Sequence, residues 1–338
     1  MNYDKEILFN TFQNLFYFKY HENVLIIDEI IPDSSNRKIF KLKSEHKNCI
    51  GIYHEGISEN KAFIEFSKTL KRIGLNVPEF YCVSTDNKYY LIEDLGNMDL
   101  FTFSKQKYIN KDELLWFYKK ALKDLSEFQI RAADKLDFNL CYQTKKLDRT
   151  QFGYDLIKFQ EYYLKKFFIS QDESFISNAF EEILSKIPEI NNEYFVYRDF
   201  QPRNIIIKTG ELYYIDYQSG RLGPLEYDPA SFLYSSSIFV NEYDRKELLG
   251  YYLKELSKKI DVDTETFFEN FYHFALLRLL QVLGSYGYNF DRKKNSDILF
   301  KIPRALNNIE SIITQFENKY ILKFLMSLLD PENSVRLN

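Results

Sequence analysis

The apolar residues of this chain change period near residue 93, and that change constrains the architecture more than any other feature. From residue 23 to residue 92, short strand-forming runs (VLIIDEII, RKIFKL, CIGIY, EFYCV and KYYLIE) are separated by turn-rich pieces such as PDSSN and STDN. One helical segment interrupts them. Ser58 is placed to cap it, Glu59 sits in its first turn, Ala62, Phe63, Phe66, Leu70 and Ile73 recur at helical spacing, and Gly74 stops it. After EDLGNMDL the spacing is that of long helices, at 112–133, about 153–168, 173–184, 245–258, 264–286 and about 303–316. A single hairpin is expected within this helical half, IIIK and ELYYID joined through Thr209 and Gly210, residues suited to a tight turn. The predicted class is α+β and bilobal: a small lobe of five strands and one helix over residues 1–93, and a larger, mainly helical lobe over residues 94–338.

The chain is long enough, at 338 residues, for two such lobes. Its 45 basic and 49 acidic residues leave a net charge of −4, which gives no general attraction to nucleic acid or to an anionic membrane, so any basic site must be local. Cys49, Cys82 and Cys141 are far apart and form no C-x-x-C pair, which argues against a disulfide framework or a zinc site and fits a reducing compartment. The aromatic N-terminus MNYDKEILFNTFQNLFYF is interrupted by Asp4, Glu6, Asn10, Gln13 and Asn14, so it reads as an amphipathic helix rather than a signal peptide. No run approaches the roughly 18 apolar residues of a membrane span. A monomeric cytoplasmic protein without nucleic-acid or membrane partners is expected.

The hairpin carries the chemistry. In YRDFQPRNIIIKTGELYYIDYQ the chain folds back between Asn204 and Asp216, which brings Asp199, Asn204 and Asp216 near one point. Three oxygen-bearing side chains suit Mg²⁺, a hard cation that keeps several waters and bridges substrate phosphates. In the kinase template an Asp accepts the proton of the attacking hydroxyl, and an Asn five residues later and a second Asp hold the metal. That template assigns Asp199 as catalytic base and Asn204 and Asp216 as metal ligands. Each residue alone would serve as an ordinary turn or cap residue; the three together, after a five-strand lobe, point to phosphoryl transfer from ATP. Asp228, before Pro229 and an apolar helix, reads as a structural N-cap.

Continued into SGRLGPLEYDPASFLY, this stretch resembles the aminoglycoside-phosphotransferase and choline-kinase superfamily. Within it, RDFQPRN, IDYQ and GPLEYDPAS are most similar to bacterial cell-wall amino-sugar kinases, which phosphorylate the anomeric hydroxyl of N-acetylmuramate and N-acetylglucosamine. Weaker likeness runs through PDSSNRKIF, SENKAFIEF, YLIEDLG and RLLQVLGSYG, and so through most of the chain. The resemblance implies a protein-kinase-like fold, ATP and Mg²⁺ as cofactors, a small-molecule sugar acceptor and a role in peptidoglycan recycling.

Two stretches depart from the protein-kinase pattern. PDSSNRK stands where a glycine-rich loop would cover the phosphates, yet it lacks glycine. Ser34, Ser35 and Asn36 can offer backbone N–H groups and polar side chains to phosphate and Arg37 can add charge, or the segment is a plain surface turn. In the third strand, IGIY puts Ile50, Gly51 and Ile52 in the apolar places and Tyr53 where a phosphate-holding Lys would stand. The similar sugar kinases also lack that Lys, but its absence leaves a nucleotide-binding pseudokinase open. The adenine is expected under Gly51 and over Ile206 and Ile215, with its edge on the backbone between Glu93 and Leu95.

For the acceptor, Arg203, Gln218, Arg221 and Arg278 are the candidate contacts. The arginines favour a neutral or anionic acceptor over a polycationic aminoglycoside or choline, which remain the alternatives. Arg278, Gln281, Ser285 and Tyr288 form one polar stripe on an apolar helix, which either lines the acceptor cleft or faces solvent.

Overall fold

The computed structural model describes residues 5–31, 36–168, 172–187 and 193–333. The small lobe runs α1 (Lys5–Tyr20), β1 (Ile26–Ile30), β2 (Lys38–Lys43), β3 (Asn48–Tyr53), α2 (Ile57–Arg72), β4 (Phe80–Val83) and β5 (Tyr89–Ile92). Its strands form one antiparallel sheet in the order β1-β2-β3-β5-β4. The three strands, helix and two strands of the sequence pattern are all present.

Helices cover the sheet on both faces. Leu8, Phe12 and Phe16 of α1 pack with Phe40, Leu42, Cys49, Tyr89 and Leu91 on one face. Ile52, Tyr90 and Ile92 point the other way, toward Phe63, Phe66 and Leu70 of α2 and the large lobe. α2 is entered from Gly56 without a side-chain cap, so Ser58 lies inside its first turn and is not the expected cap. At its end Gly74 has φ +76°, the left-handed stop that glycine supplies.

The large lobe contains α3 (Leu100–Ser104), α4 (Lys111–Ala133), α5 (Arg149–Phe159), a π-helical turn (Gln160–Leu164), α6 (Lys165–Phe167) and α7 (Glu173–Ser185). Then follow β6 (Tyr194–Val196), β7 (Ile205–Lys208), β8 (Glu211–Tyr214), β9 (Arg221–Gly223), α8 (Tyr227–Leu233), α9 (Glu242–Leu256), α10 (Thr264–Lys293), α11 (Ile302–Ile312) and α12 (Lys319–Leu329). The expectation of a single hairpin in this half needs correction, because β6 pairs with β9 in a second two-stranded sheet. Three-residue strands are too short to show a period-2 pattern, and their pairing is non-local. α10 packs against the π-helical turn at very close range. A Cβ on Gly287 would lie 2.0 Å from the Tyr162 carbonyl oxygen, so only glycine fits there.

The lobes meet through specific contacts. Phe63 of α2 stacks on Tyr217 with ring centroids 5.3 Å apart, and Ser67 Oγ shares a 2.6 Å hydrogen bond with the Tyr217 hydroxyl. Beside the connection between lobes, Lys208 Nζ of β7 lies 2.6 Å from Glu93 Oε1. Among the described residues no helix is long and apolar enough to cross a membrane.

Candidate functional site

The β7–β8 hairpin closes through Thr209 (φ +51°) and Gly210 (φ +80°), the left-handed pair of a tight two-residue turn. Its register sets Ile205 opposite Tyr214, so Asn204 and Asp216 flank the hairpin's open end. Asn204 Nδ2 donates to the Asp199 carbonyl at 2.8 Å and lies 3.4 Å from Asp216 Oδ2. The expected trio is therefore gathered around one amide.

The loop before Asn204 is held from beneath. Tyr197 is fully buried, and its hydroxyl donates to the Ile215 carbonyl at 2.5 Å. Both Asp228 carboxylate oxygens accept backbone N–H groups, from Tyr197 at 2.6 Å and from Arg198 at 2.8 Å. Arg198 has φ +74° and Asp216 φ +71°, left-handed conformations that a non-glycine residue keeps only when its surroundings fix it. Asp228 is structural, as expected, but it is not the N-cap. Glu226 takes that position in α8, and Asp228 turns inward to the loop that carries Asp199.

Asp199 stands at the edge of a cavity of about 590 Å³ whose lining includes Arg198, Arg203, Arg278, Gln281 and Ser285. Arg278 Nη2 lies 3.8 Å from Asp199 Oδ1, and the same guanidinium bonds Gln281. Arg203 lies over Phe101, its guanidinium carbon 3.9 Å from the ring centre. The polar stripe of α10 thus faces the cavity through Arg278, Gln281 and Ser285. Tyr288 departs from it and packs edge-on against Tyr162.

Two of the expected acceptor contacts lie elsewhere. Arg221 is 1% exposed, and its guanidinium is spent on Ser219 O, Thr144 Oγ1 and Gln143 Oε1, so it orders the loop behind the cavity. Gln218 turns toward the small lobe, donating to Asp216 Oδ1 at 2.7 Å and reaching Glu59 Oε1 at 3.4 Å. Conversely, Arg198, Lys293 and Lys301 line the cavity although none of them was among the expected acceptor contacts. Arg198 is about a hundred residues from the two lysines, and surface-type cations leave no periodic signal.

On the side expected to hold the nucleotide, the placement of Gly51 needs correction. A Cβ there would meet Phe12 of α1 at 2.8 Å, so Gly51 sits on the α1 face and away from α2 and the large lobe. Strand alternation puts Ile50 and Ile52 on the face toward α2 and the large lobe and Tyr53 on the α1 face, where it packs against Tyr89 at 4.7 Å. The register is one residue off the expected one, and a one-residue slip exchanges the two faces. Ile206 and Leu95 are buried, Ile215 is half-buried, and Glu93 is engaged by Lys208. Asn36 is exposed. Arg37 is buried, with Nη2 2.8 Å from Glu59 Oε1. Ser34 and Ser35 lie outside the described residues.

Charge and burial tune these groups. Burial foremost, and then the neighbouring Asp199 charge, push the Asp216 carboxyl up, while Gln218 and Arg37 oppose the shift. Burial pushes Asp228 up to about 7 against its two backbone hydrogen bonds. Arg221 is lowered to about 10 by burial and by Arg198. A carboxylate beside an arginine-lined cavity, next to an oxygen cluster under a separate lobe, can orient one nucleophile between two substrates.

No family model matches the chain. It is 23% identical over 304 residues to an N-acetylmuramate/N-acetylglucosamine kinase of Pseudomonas aeruginosa, covering 85% of this chain and 84% of the relative. The kinase of the same name from Neisseria meningitidis is 22% identical over 255 residues, 72% of each chain. Among solved structures, choline kinase from Streptococcus pneumoniae superposes with a TM-score of 0.62 at 16% identity, covering 91% of this chain and 99% of that one. Amicoumacin kinase, solved with AMP-PNP and Ca²⁺, superposes with a TM-score of 0.64 at 12% identity, covering 91% and 94%. In sequence the chain is similar to kinases of small molecules, and its fold is that of solved phosphotransferases such as choline kinase and amicoumacin kinase.

Proposed function

We propose that this protein is an ATP-dependent kinase that phosphorylates the anomeric hydroxyl of an amino sugar, N-acetylmuramate or N-acetylglucosamine, in the salvage of cell-wall sugars. The observation that carries the reading is the position of Asp199, between the Asn204–Asp216 pair and a cavity rich in arginine. Asp199 accepts the acceptor's hydroxyl proton and aims its oxygen at the γ-phosphorus. Arg278, 3.8 Å from that carboxylate, fixes its orientation.

The residues present fit Mg²⁺. Asp216 offers a carboxylate, and Asn204, its N–H₂ turned to Asp199 and Asp216, offers its amide oxygen. Gln218 Oε1, buried beside Asp216, has no hydrogen-bond partner among the described residues. No cluster of three His, Cys, Asp or Glu occurs among them, which suits an ion held by one or two protein oxygens together with substrate phosphates and water. Mg²⁺ bound there would neutralise charge on the transferring phosphoryl group.

Arg198, Arg203, Arg278, Lys293 and Lys301 around one cavity favour an acceptor bearing a carboxylate or neutral oxygens over a polycation. The test is incubation with ATP and each amino sugar. A sugar 1-phosphate is expected, identified by phosphorus coupling to the anomeric proton and by ready acid hydrolysis. Coupling to the C6 protons alone would overturn the regiochemistry, and reaction with an aminoglycoside in place of either sugar would overturn the acceptor.

A further inference from the structure

In protein kinases a Lys on the third strand pairs with a Glu of the helix that follows it and holds the α- and β-phosphates. The observed register shows which residue occupies that strand position here. The residues of β3 on the face toward α2 and the large lobe are Ile50 and Ile52, so Ile52 takes the place of the kinase Lys, and an isoleucine can hold no phosphate. Ile52 is paired with Ile39 of β2. Arg37 lies just ahead of β2, two residues before Ile39, and its guanidinium carbon is 5.5 Å from the ring centre of Phe63, on the side of the sheet that Ile52 faces.

From there the longer arginine side chain reaches the helix. Arg37 Nη2 is 2.8 Å from Glu59 Oε1, and Glu59 lies one turn before Phe63, which stacks on Tyr217 beside the proposed metal site. Glu59 is tied in turn to Gln218, and Gln218 to Asp216. A buried cation is thereby linked through two side chains to the carboxylate proposed to hold Mg²⁺.

We infer that Arg37 replaces the missing third-strand lysine, pairing with Glu59 while its guanidinium binds the phosphates of ATP. The inference rests on the proposed kinase function and adds the origin of its phosphate-binding cation. A guanidinium suits the task because its several N–H groups serve a carboxylate and a phosphate at once.

The test is calorimetric binding of Mg-ATP and of adenosine to the full-length protein, with thermal unfolding monitored in parallel. Wild type should bind Mg-ATP more tightly than adenosine. Arg37→Met should weaken Mg-ATP by about tenfold or more and leave adenosine within a few-fold. Adding Ile52→Lys to Arg37→Met restores a cation at the strand-3 position and should recover most of the lost ATP affinity. An unchanged ATP-to-adenosine ratio in Arg37→Met overturns the inference. So does loss of the ratio without recovery in the double variant, since Arg37 would then be ordering its loop instead of touching phosphate. If wild type binds neither ligand, the nucleotide reading itself fails, a result distinct from both.

Discussion

The Asp228 carboxylate holds the backbone N–H of Tyr197 at 2.6 Å across 31 residues of sequence, and its second oxygen holds the next N–H, that of Arg198. The loop bearing Asp199 is thus suspended from the first turn of α8. In Asp228→Asn one carboxylate oxygen becomes an N–H₂ group, leaving a buried donor facing a donor. A loss of about 1–3 kcal/mol in unfolding free energy is expected, together with a fall in turnover as Arg198 leaves its left-handed conformation. Denaturant unfolding and steady-state kinetics check it; unchanged values of both would rule out the clamp.

Asp199→Asn keeps the shape of the side chain and removes its basicity. Turnover should fall by about 10²–10⁴-fold, the usual contribution of a positioned base, while nucleotide binding stays near wild type. Rates measured at saturating acceptor separate this from a binding defect, and near-normal turnover would sink the assignment.

Asp216→Ala removes the carboxylate that Gln218 and Asn204 both address. Productive Mg-ATP binding should weaken far more than binding of adenosine, which brings no phosphates, and the Mg²⁺ concentration needed for half-maximal rate should rise. An unchanged Mg²⁺ titration would show that the ion is held elsewhere.

Glu226, the residue before α8, is buried and accepts a hydrogen bond from Asn270 at 3.3 Å, and burial pushes its carboxyl from the ordinary 4.5 up to about 7. The folded state binds the proton more tightly than the unfolded chain does. Its contribution to stability is full below about pH 4.5 and is lost as pH rises through 7, a change on the order of 3 kcal/mol. Glu226→Gln should therefore be more stable than wild type at pH 8 and similar to it at pH 4.5. Denaturant unfolding at both values tests the sign, and a variant less stable at pH 8 would contradict it.

Read by itself, the sequence determined the two-lobe α+β plan, because the switch from strand runs to helical spacing is local and repeated over many residues. It also determined that Asp199, Asn204 and Asp216 would meet, since a four-residue strand, a two-residue turn and a second strand leave the chain no other way to run. Tertiary structure alone decided which way the neighbours point. In NCIGIY both faces of β3 are apolar because α1 covers one and α2 the other, so no polar contrast tells the two faces apart, and Gly51 can be assigned only from the Phe12 ring that crowds it. Arg221 and Gln218 sit close to Asp216 in sequence, yet Arg221 is drawn to Gln143 and Thr144 and Gln218 to Glu59, partners 77 to 159 residues away. The Arg37–Glu59 pair and the Asp228 clamp arise in the same way. Buried charges and amides must find partners wherever the packed chain supplies them, and those partners come from other elements of the fold.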